Sequence, residues 1–189
     1  MQITETDIPD VKLITPKKFG DARGFFSETY NKRALAEAGI RLDFVQDNHS
    51  LSAEVGTVRG LHFQKPPFAQ DKLVRVVRGA VLDVAVDLRK GSPTFGQHVT
   101  AEISAANWTQ ILVPIGFAHA FMTLEPDTEV IYKVTNTYAP DHEGGLRWDD
   151  PALGIDWPTP PSGAVLNDRD RTLPTLDELD FFFEYGTDA

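Results

Sequence analysis

The chain has 189 residues, 41% of them hydrophobic and 24% charged, the composition of one globular domain with a buried core and not of a disordered segment. It contains no cysteine, which excludes a disulfide framework and a thiolate metal site and suits a reducing cytoplasm. A net charge of −10 argues against general nucleic-acid binding, the first residues lack the basic and apolar regions of a signal peptide, and no apolar run is long enough to span a bilayer.

Period-two alternation dominates the sequence, the signature of half-buried strands. Val11 to Ile14 reads as a strand-like segment whose edge is free to pair with a second copy. Asn31 caps a short helix ending near Ala38, with Gly39 closing it. Gln46-Asp47-Asn48-His49-Ser50 gathers five polar residues between apolar segments; such a cluster either orders a turn or lines a polar ligand site. Strands are predicted at 56–64 and from Lys72 to Arg78, with Gly79 turning the chain into Val81 to Leu88. There Leu82, Val84, Val86 and Leu88 share one face, and Asp83 and Asp87 the other.

Further strands are predicted at 97–104, 109–113 and 128–138, punctuated by Gly91-Ser92-Pro93, Pro114-Ile115-Gly116 and Glu125-Pro126-Asp127. On an unbroken last strand, Tyr132 and Tyr138 share a face. Residues 148–161 hold Trp148, Trp157 and a run of prolines, which exclude helix and central strand; they form either a loop pinned by aromatic rings or a lid. Thr175 and Glu178 make a capping box, so a second helix is expected late in the chain. The pattern predicts a single domain over 1–189, mainly β, a sandwich or barrel of the jelly-roll type with a few short helices at its periphery.

The segment Val58-Arg59-Gly60-Leu61-His62-Phe63-Gln64, followed by Lys72, carries the chemistry. Histidine titrates nearest neutral pH and is the default proton carrier, while arginine and lysine suit anionic groups. One base with several cations reads as proton abstraction from an anionic substrate. Taken alone, a strand histidine is more often a rim or core residue than a catalyst. Arg59 and His62 also point to opposite faces of an unbroken strand. Either Gly60 permits a bulge that re-aims a side chain, or Arg59 works at a rim or subunit seam.

Pro114-x-Gly116-x-x-His119 resembles the second motif of the cupin superfamily, whose fold is a small jelly-roll barrel. Metal-binding cupins carry His-x-His in their first motif, and here the second of those positions is Gln64. An amide is a poor transition-metal ligand beside imidazole, so the reading is a cupin-type jelly-roll barrel without a metal site. Tyr132 can serve as a general acid and a tyrosine ring can stack on a nucleobase, although two core rings with hydroxyls at a rim fit the same pattern. Asp170 offers a carboxylate that can orient a histidine.

Taken together, these segments resemble the dTDP-4-dehydrorhamnose 3,5-epimerase family. The match begins with Phe19-Gly20-Asp21-x-Arg23-Gly24, Gln46 to Ser50, Val58 to His62 and Lys72 to Val76. It continues through Asp83 to Arg89, Ser92 to Gly96, Pro114 to His119, Tyr132-Lys133, Tyr138-x-Pro140, Trp148 to Pro151 and Asp170-x-x-x-Pro174, almost the whole chain. The resemblance implies a cytoplasmic homodimeric isomerase that needs neither metal nor cofactor. Its implied reaction converts dTDP-4-dehydro-6-deoxy-D-glucose to dTDP-4-dehydro-L-rhamnose, by removing and returning protons beside the C4 ketone.

The resemblance also assigns roles. His62 is the base, Asp170 the carboxylate that holds it, Lys72 the cation beside the C4 oxygen and Tyr132 the proton donor. Arg23, Glu28, Gln46, Asp47, Asn48, Arg59, His119, Glu143 and Arg169 fall at sugar-nucleotide contact positions, and Tyr138 at the position that stacks on thymine. Three residues depart from the family pattern. Ala120 stands where glycine is usual and is expected to narrow a turn after His119. Asn167 replaces a common serine. Arg169 replaces a common lysine, keeping the charge but not the geometry. The set of His62, Lys72, Tyr132 and Asp170 does not decide between one inversion and two, so a relative that inverts one carbon only stays open; a non-catalytic sugar-binding cupin has no need of an acid and a base together.

Overall fold

Residues 1–186 are described by the computed structural model, and they form two large antiparallel sheets with an apolar core between them. In chain order the strands are β1 (Gln2–Glu5), β2 (Lys12–Thr15), β3 (Phe19–Asp21), β4 (Gly24–Phe26), β5 (Gln46–Ser52), β6 (Val58–Gln64), β7 (Lys72–Arg78) and β8 (Ala80–Asp87). There follow β9 (Arg89–Lys90), β10 (His98–Ser104), β11 (Gln110–Val113), β12 (Phe117–Thr123), β13 (Thr128–Val134), β14 (Glu143–Gly145) and β15 (Phe183–Glu184). One sheet runs β1-β2-β11-β7-β13-β5 and the other β10-β8-β12-β6-β14, beside a β3–β4 hairpin and a short parallel β9–β15 pair. Val74, Val76, Ile111 and Val130 from the first meet Val81, Ala85, Ile103 and Phe121 from the second. This is the mainly β jelly-roll architecture that the alternating sequence predicts.

Each sheet also has a covered outer face. Helix α1 (Lys32–Glu37), capped by the Asn31 side chain, brings Leu35 over Leu73 and Leu112 of the six-stranded sheet. On the five-stranded sheet, Val84 and Val86 pack outward against the C-terminal segment, with Phe181 and Phe183. Because strand side chains alternate, Asp83 therefore sits on the inner face with Val81 and Ala85, buried in the barrel and not turned to solvent.

Several expectations need correction. The late helix is one 3-10 turn, Leu176–Glu178, although its capping box forms as predicted. β13 ends at Val134, so Tyr138 lies in the loop beyond the strand that carries Tyr132. Ala120 is in the middle of β12 and not in a turn. The 11–14 segment is no free edge, because β2 pairs with β1 on one side and β11 on the other within the same chain. The 148–161 loop is pinned: Trp148 and Trp157 pack edge to face, the Trp157 indole donates to the Trp148 carbonyl at 2.7 Å, and buried Asp150 accepts from the Leu176 N–H at 2.7 Å. Among the described residues no helix is long and apolar enough to cross a membrane.

Candidate active site

Both sheets aim polar side chains into one cleft. From the six-stranded sheet the contributors are β5, β7 and β13. The polar run that starts at Gln46 is a strand, and its alternation sorts it: Gln46, Asn48 and Ser50 are partly buried while Asp47, His49 and Leu51 are exposed. The register places Asn48 beside Tyr132 on β13, and Gln46 beside Val134, whose other neighbour is Lys72 on β7. From the five-stranded sheet come Arg59 and His62 on β6, His119 on β12 and Glu143 on β14. His62, Lys72 and Tyr132 line both the deeper part of the cleft, with Arg59, His119 and Asp170, and its outer part, with Gln46, Asn48, Tyr138 and Glu143.

Arg59 and His62 share this cleft because β6 is bulged. Opposite it, β12 advances two steps, from His119 to Phe121, while β6 advances three, from His62 to Arg59. Gly60 makes the bulge possible, with φ at +120° and its Cα pressed against β12. A Cβ there would stand 2.4 Å from the His119 carbonyl oxygen and 2.6 Å from the Ala120 Cα, so no other residue fits.

The His62 Nε2 lies 2.7 Å from the Asp170 Oδ1. Asp170 is fully buried; its Oδ2 accepts from the Gly60 N–H at 3.3 Å, and its own N–H donates to the Asn167 Oδ1 at 2.7 Å. Burial acts to raise the Asp170 carboxyl, but hydrogen bonding and charge from His62, with the Gly60 N–H, outweigh it and hold it below the usual carboxylate range. An ionised carboxylate only accepts, so Nε2 carries a proton toward Asp170, and in the neutral ring the lone pair is on Nδ1.

Lys72 Nζ donates to the His62 carbonyl oxygen at 3.2 Å. Burial lowers its pKa to about 8, against the pull of the Asp83 and Glu143 charges. Both of those carboxylates bond elsewhere: Asp83 places each oxygen 2.9 Å from the His119 Nε2, and Glu143 accepts from Arg169 at the cleft mouth. Burial also raises the Tyr132 phenol, helped by Glu143 and Tyr138 and opposed by Arg59, which keeps the hydroxyl protonated at neutral pH. Tyr138 reaches the mouth from its loop, where its N–H donates to the Gln46 Oε1 at 3.1 Å.

Not every expected residue arrives. Asp47 faces the outer side of the sheet, bonded to the Lys133 Nζ at 2.8 Å, beside a separate cavity with Tyr30 and Arg75. Arg23 is exposed on the β3–β4 hairpin, paired with Asp21, and exposed Glu28 follows it beside Asn31. Gln64 has its amide fully engaged: Nε2 donates to the Phe68 and Thr137 carbonyls at 2.6 and 3.1 Å, and Oε1 accepts from the Ala139 N–H at 2.8 Å. It ties two loops together, a role poorly compatible with ligation of a metal.

Two residues at the site are not singled out by the sequence: Asp83, buried behind the cleft, and Ser50, which lines it. Asp83 was visible as an acid flanked by apolar residues, but alternation alone could not say which face was inside. Ser50 Oγ is buried without a hydrogen-bond partner among the described residues, a hydroxyl left for a ligand or water. Nothing in the sequence separates it from the polar residues around it.

Comparison with known proteins agrees with this geometry. A family model described as dTDP-4-dehydrorhamnose 3,5-epimerase matches residues 5–178. A dTDP-4-dehydrorhamnose 3,5-epimerase from Sinorhizobium fredii is 54% identical over 98% of this chain and 94% of its own length. Among solved structures, a dTDP-6-deoxy-D-glucose-3,5-epimerase from Legionella pneumophila in complex with dTDP-4-keto-L-rhamnose is 41% identical, with a TM-score of 0.94 over 98% of this chain and 99% of that one. A 3′-monoepimerase from Streptomyces bikiniensis in complex with dTDP-quinovose is 34% identical, with a TM-score of 0.85 over 92% of this chain and 87% of that one.

Proposed function

The chain belongs to the dTDP-4-dehydrorhamnose 3,5-epimerase family and is an isomerase of dTDP-rhamnose biosynthesis, and we propose that His62, Lys72, Tyr132 and Asp170 carry its reaction. The reading rests on one observation: His62 and Tyr132 project from opposite sheets into one cleft that Lys72 also lines. The substrate is dTDP-4-dehydro-6-deoxy-D-glucose. The C–H bonds at C3 and C5 flank its C4 ketone, so each becomes removable when the enolate is stabilised. His62 Nδ1 takes the proton from one face. The bonding pair moves toward the C4 oxygen, where the Lys72 ammonium meets the developing charge. The Tyr132 hydroxyl then returns a proton to the opposite face of the same carbon. Solvent restores the phenol and relieves the imidazolium, and the carbon is inverted with no net redox change. Asp170 keeps His62 in the tautomer that leaves Nδ1 basic.

Arg59, His119, Gln46, Asn48, Glu143 and Arg169 surround this centre as sugar and diphosphate contacts, and Tyr138 at the mouth stacks on the base. Incubation with the dTDP-keto sugar in deuterated water, followed by NMR, tests the assignment: deuterium at both C3 and C5 is expected. The 3′-monoepimerase with the same fold makes a single inversion the second reading, and deuterium at one carbon alone would select it.

The active form is a cytoplasmic homodimer. The chain has no cysteine to oxidise. The β3–β4 hairpin exposes Phe19, Phe25 and Phe26, and edge strand β5, with Val45 just before it, exposes Val45 and Leu51. Pairing through these surfaces allows the hairpin of one copy to bring Arg23 and Glu28 to the cleft of the other. Two inactive variants, Arg23→Glu and His62→Asn, should then regain activity when their subunits are mixed, because one mixed site is intact. A monomer mass by light scattering at micromolar concentration, or no recovery on mixing, would contradict the arrangement.

A further inference from the structure

Lys72 must be an ammonium ion to stabilise an enolate, yet it is half-buried in the cleft, where much of its water shell is lost. The groups around it come from every neighbouring element. β6 supplies the His62 carbonyl and Arg59, β13 the Tyr132 phenol, β12 the His119 ring and β14 Glu143; Asp83 on β8 lies behind His119, bonded to it from the barrel interior. Asp170 is already bonded to His62, and Glu143 is partly exposed and shares its charge with Arg169 at the mouth. Asp83 differs from both. It is completely buried, its side chain belongs to the inner face of β8, and its one side-chain partner among the described residues is the His119 Nε2, 2.9 Å from each oxygen.

A carboxylate enclosed this way is costly unless opposite charge and hydrogen bonds compensate it. His119 supplies a single N–H to two oxygens. The remaining negative charge acts through the barrel interior, where water does little to screen it.

We propose that Asp83 is a positioning residue for the epimerisation: locked to His119, it supplies the buried counter-charge that keeps Lys72 protonated in the working pH range. This rests on reading Lys72 as the cation at the enolate oxygen. The same bond holds the His119 ring, with Nε2 protonated toward Asp83, and leaves its other nitrogen for the cleft. The direction of the Lys72 shift agrees: burial lowers the pKa and Asp83 is first among the charges that oppose the fall. Burial also raises the Asp83 carboxyl itself, with His119 and Lys72 pulling it back down, so the two charges support each other.

Asp83→Asn tests this, with Lys72 followed directly by NMR of lysine labelled at the Cε carbon. Loss of a nearby opposite charge should lower the Lys72 pKa by about one unit, and the alkaline limb of turnover should move with it. Relative to the unmodified enzyme, the variant should lose about tenfold at pH 9 and little at pH 6, since the lysine is fully charged there in both. Affinity for dTDP, which lacks the reacting ketone, should change by the same factor at pH 6 and pH 9, so the pH-dependent loss is confined to turnover. A merely structural defect would instead lower turnover by the same factor at every pH.

An unmoved Lys72 pKa would overturn the proposal. A lysine that shifts beneath an unmoved rate profile would uphold the Asp83–Lys72 coupling and remove Lys72 from the reaction. If the variant fails to fold, the unmodified enzyme still decides: NMR of the Asp83 Cγ carbon should show an ionised carboxylate at pH 7, and a protonated one would leave no counter-charge and end the proposal.

Discussion

Arg59 and His62 stand three residues apart on β6 and still line the same cleft. The cause is the bulge at Gly60, which gives β6 one extra residue against β12 and turns both side chains to one face. The same glycine donates its N–H to Asp170, the carboxylate that holds His62, so one backbone position sets the aim of a cation, a base and the base's partner.

Gly60→Ala is therefore expected to damage stability and turnover together. The new methyl meets the backbone of His119 and Ala120 and not a side chain that can swing away. Overpacking and positive φ together should cost about 3 kcal/mol, a fall in Tm of roughly 6–12 °C for a chain of this size. A variant with unchanged melting and turnover would mean that the bulge is not needed.

Turnover should fall as pH rises through about 8, where Lys72 loses its proton. The sign of its effect on stability is the reverse. Its folded pKa lies below its unfolded value of about 10.4, so between those limits the unfolded chain holds more protons and stability gains with pH. Below about 8 the charged lysine carries its full burial penalty, and above it that penalty is relieved. Comparing kcat and Tm between pH 7 and 9 checks both slopes. A turnover profile that stays flat to pH 10 would exclude a lysine ammonium from the rate-determining chemistry.

Tyr138→Ala should act on binding. Tyr138 is 56% exposed at the cleft mouth, so its removal leaves no cavity and should leave the melting temperature nearly unchanged. Loss of a base-stacking platform costs about 1–3 kcal/mol, so dTDP affinity should drop roughly 5- to 150-fold. Undiminished dTDP affinity by calorimetry would remove it from the nucleotide site.

Exhaustive treatment with EDTA should leave turnover unchanged, because the position where metal cupins place a second histidine holds an amide already bonded to three backbone groups. Activity lost on chelation and restored by one divalent metal would overturn the metal-independent reading.

The sequence carried the strand pattern well because β7, β8 and β13 have one face to bury and one polar or differently packed. It failed for β12, where every residue from Phe117 to Thr123 is buried and no alternation exists to be read. It failed in another way for β5, an edge strand whose polar residues are held by cleft and solvent and so look like a loop. The His62–Asp170 pair spans more than a hundred residues, and neither residue's neighbours reveal the other; each is legible as a candidate, but only the resemblance pairs them. The placement of Arg23, Glu28 and Asp47 outside the cleft of their own chain was invisible, because a motif records which residues a site uses and not which copy or face delivers them.

The two-sided mechanism is tested most directly by hydrogen exchange at C3 and C5 of the dTDP-keto sugar in deuterated water, read by NMR for His62→Asn and Tyr132→Phe side by side. His62→Asn removes the base, so exchange and inversion should fall together by about 100- to 10,000-fold. Tyr132→Phe removes only the donor hydroxyl. It should retain exchange, with deuterium returned to the face it left, and lose inversion. Wild-type-like exchange in His62→Asn, or full inversion of both carbons at the wild-type rate in Tyr132→Phe, would contradict the assignment of base and acid to opposite walls of the cleft.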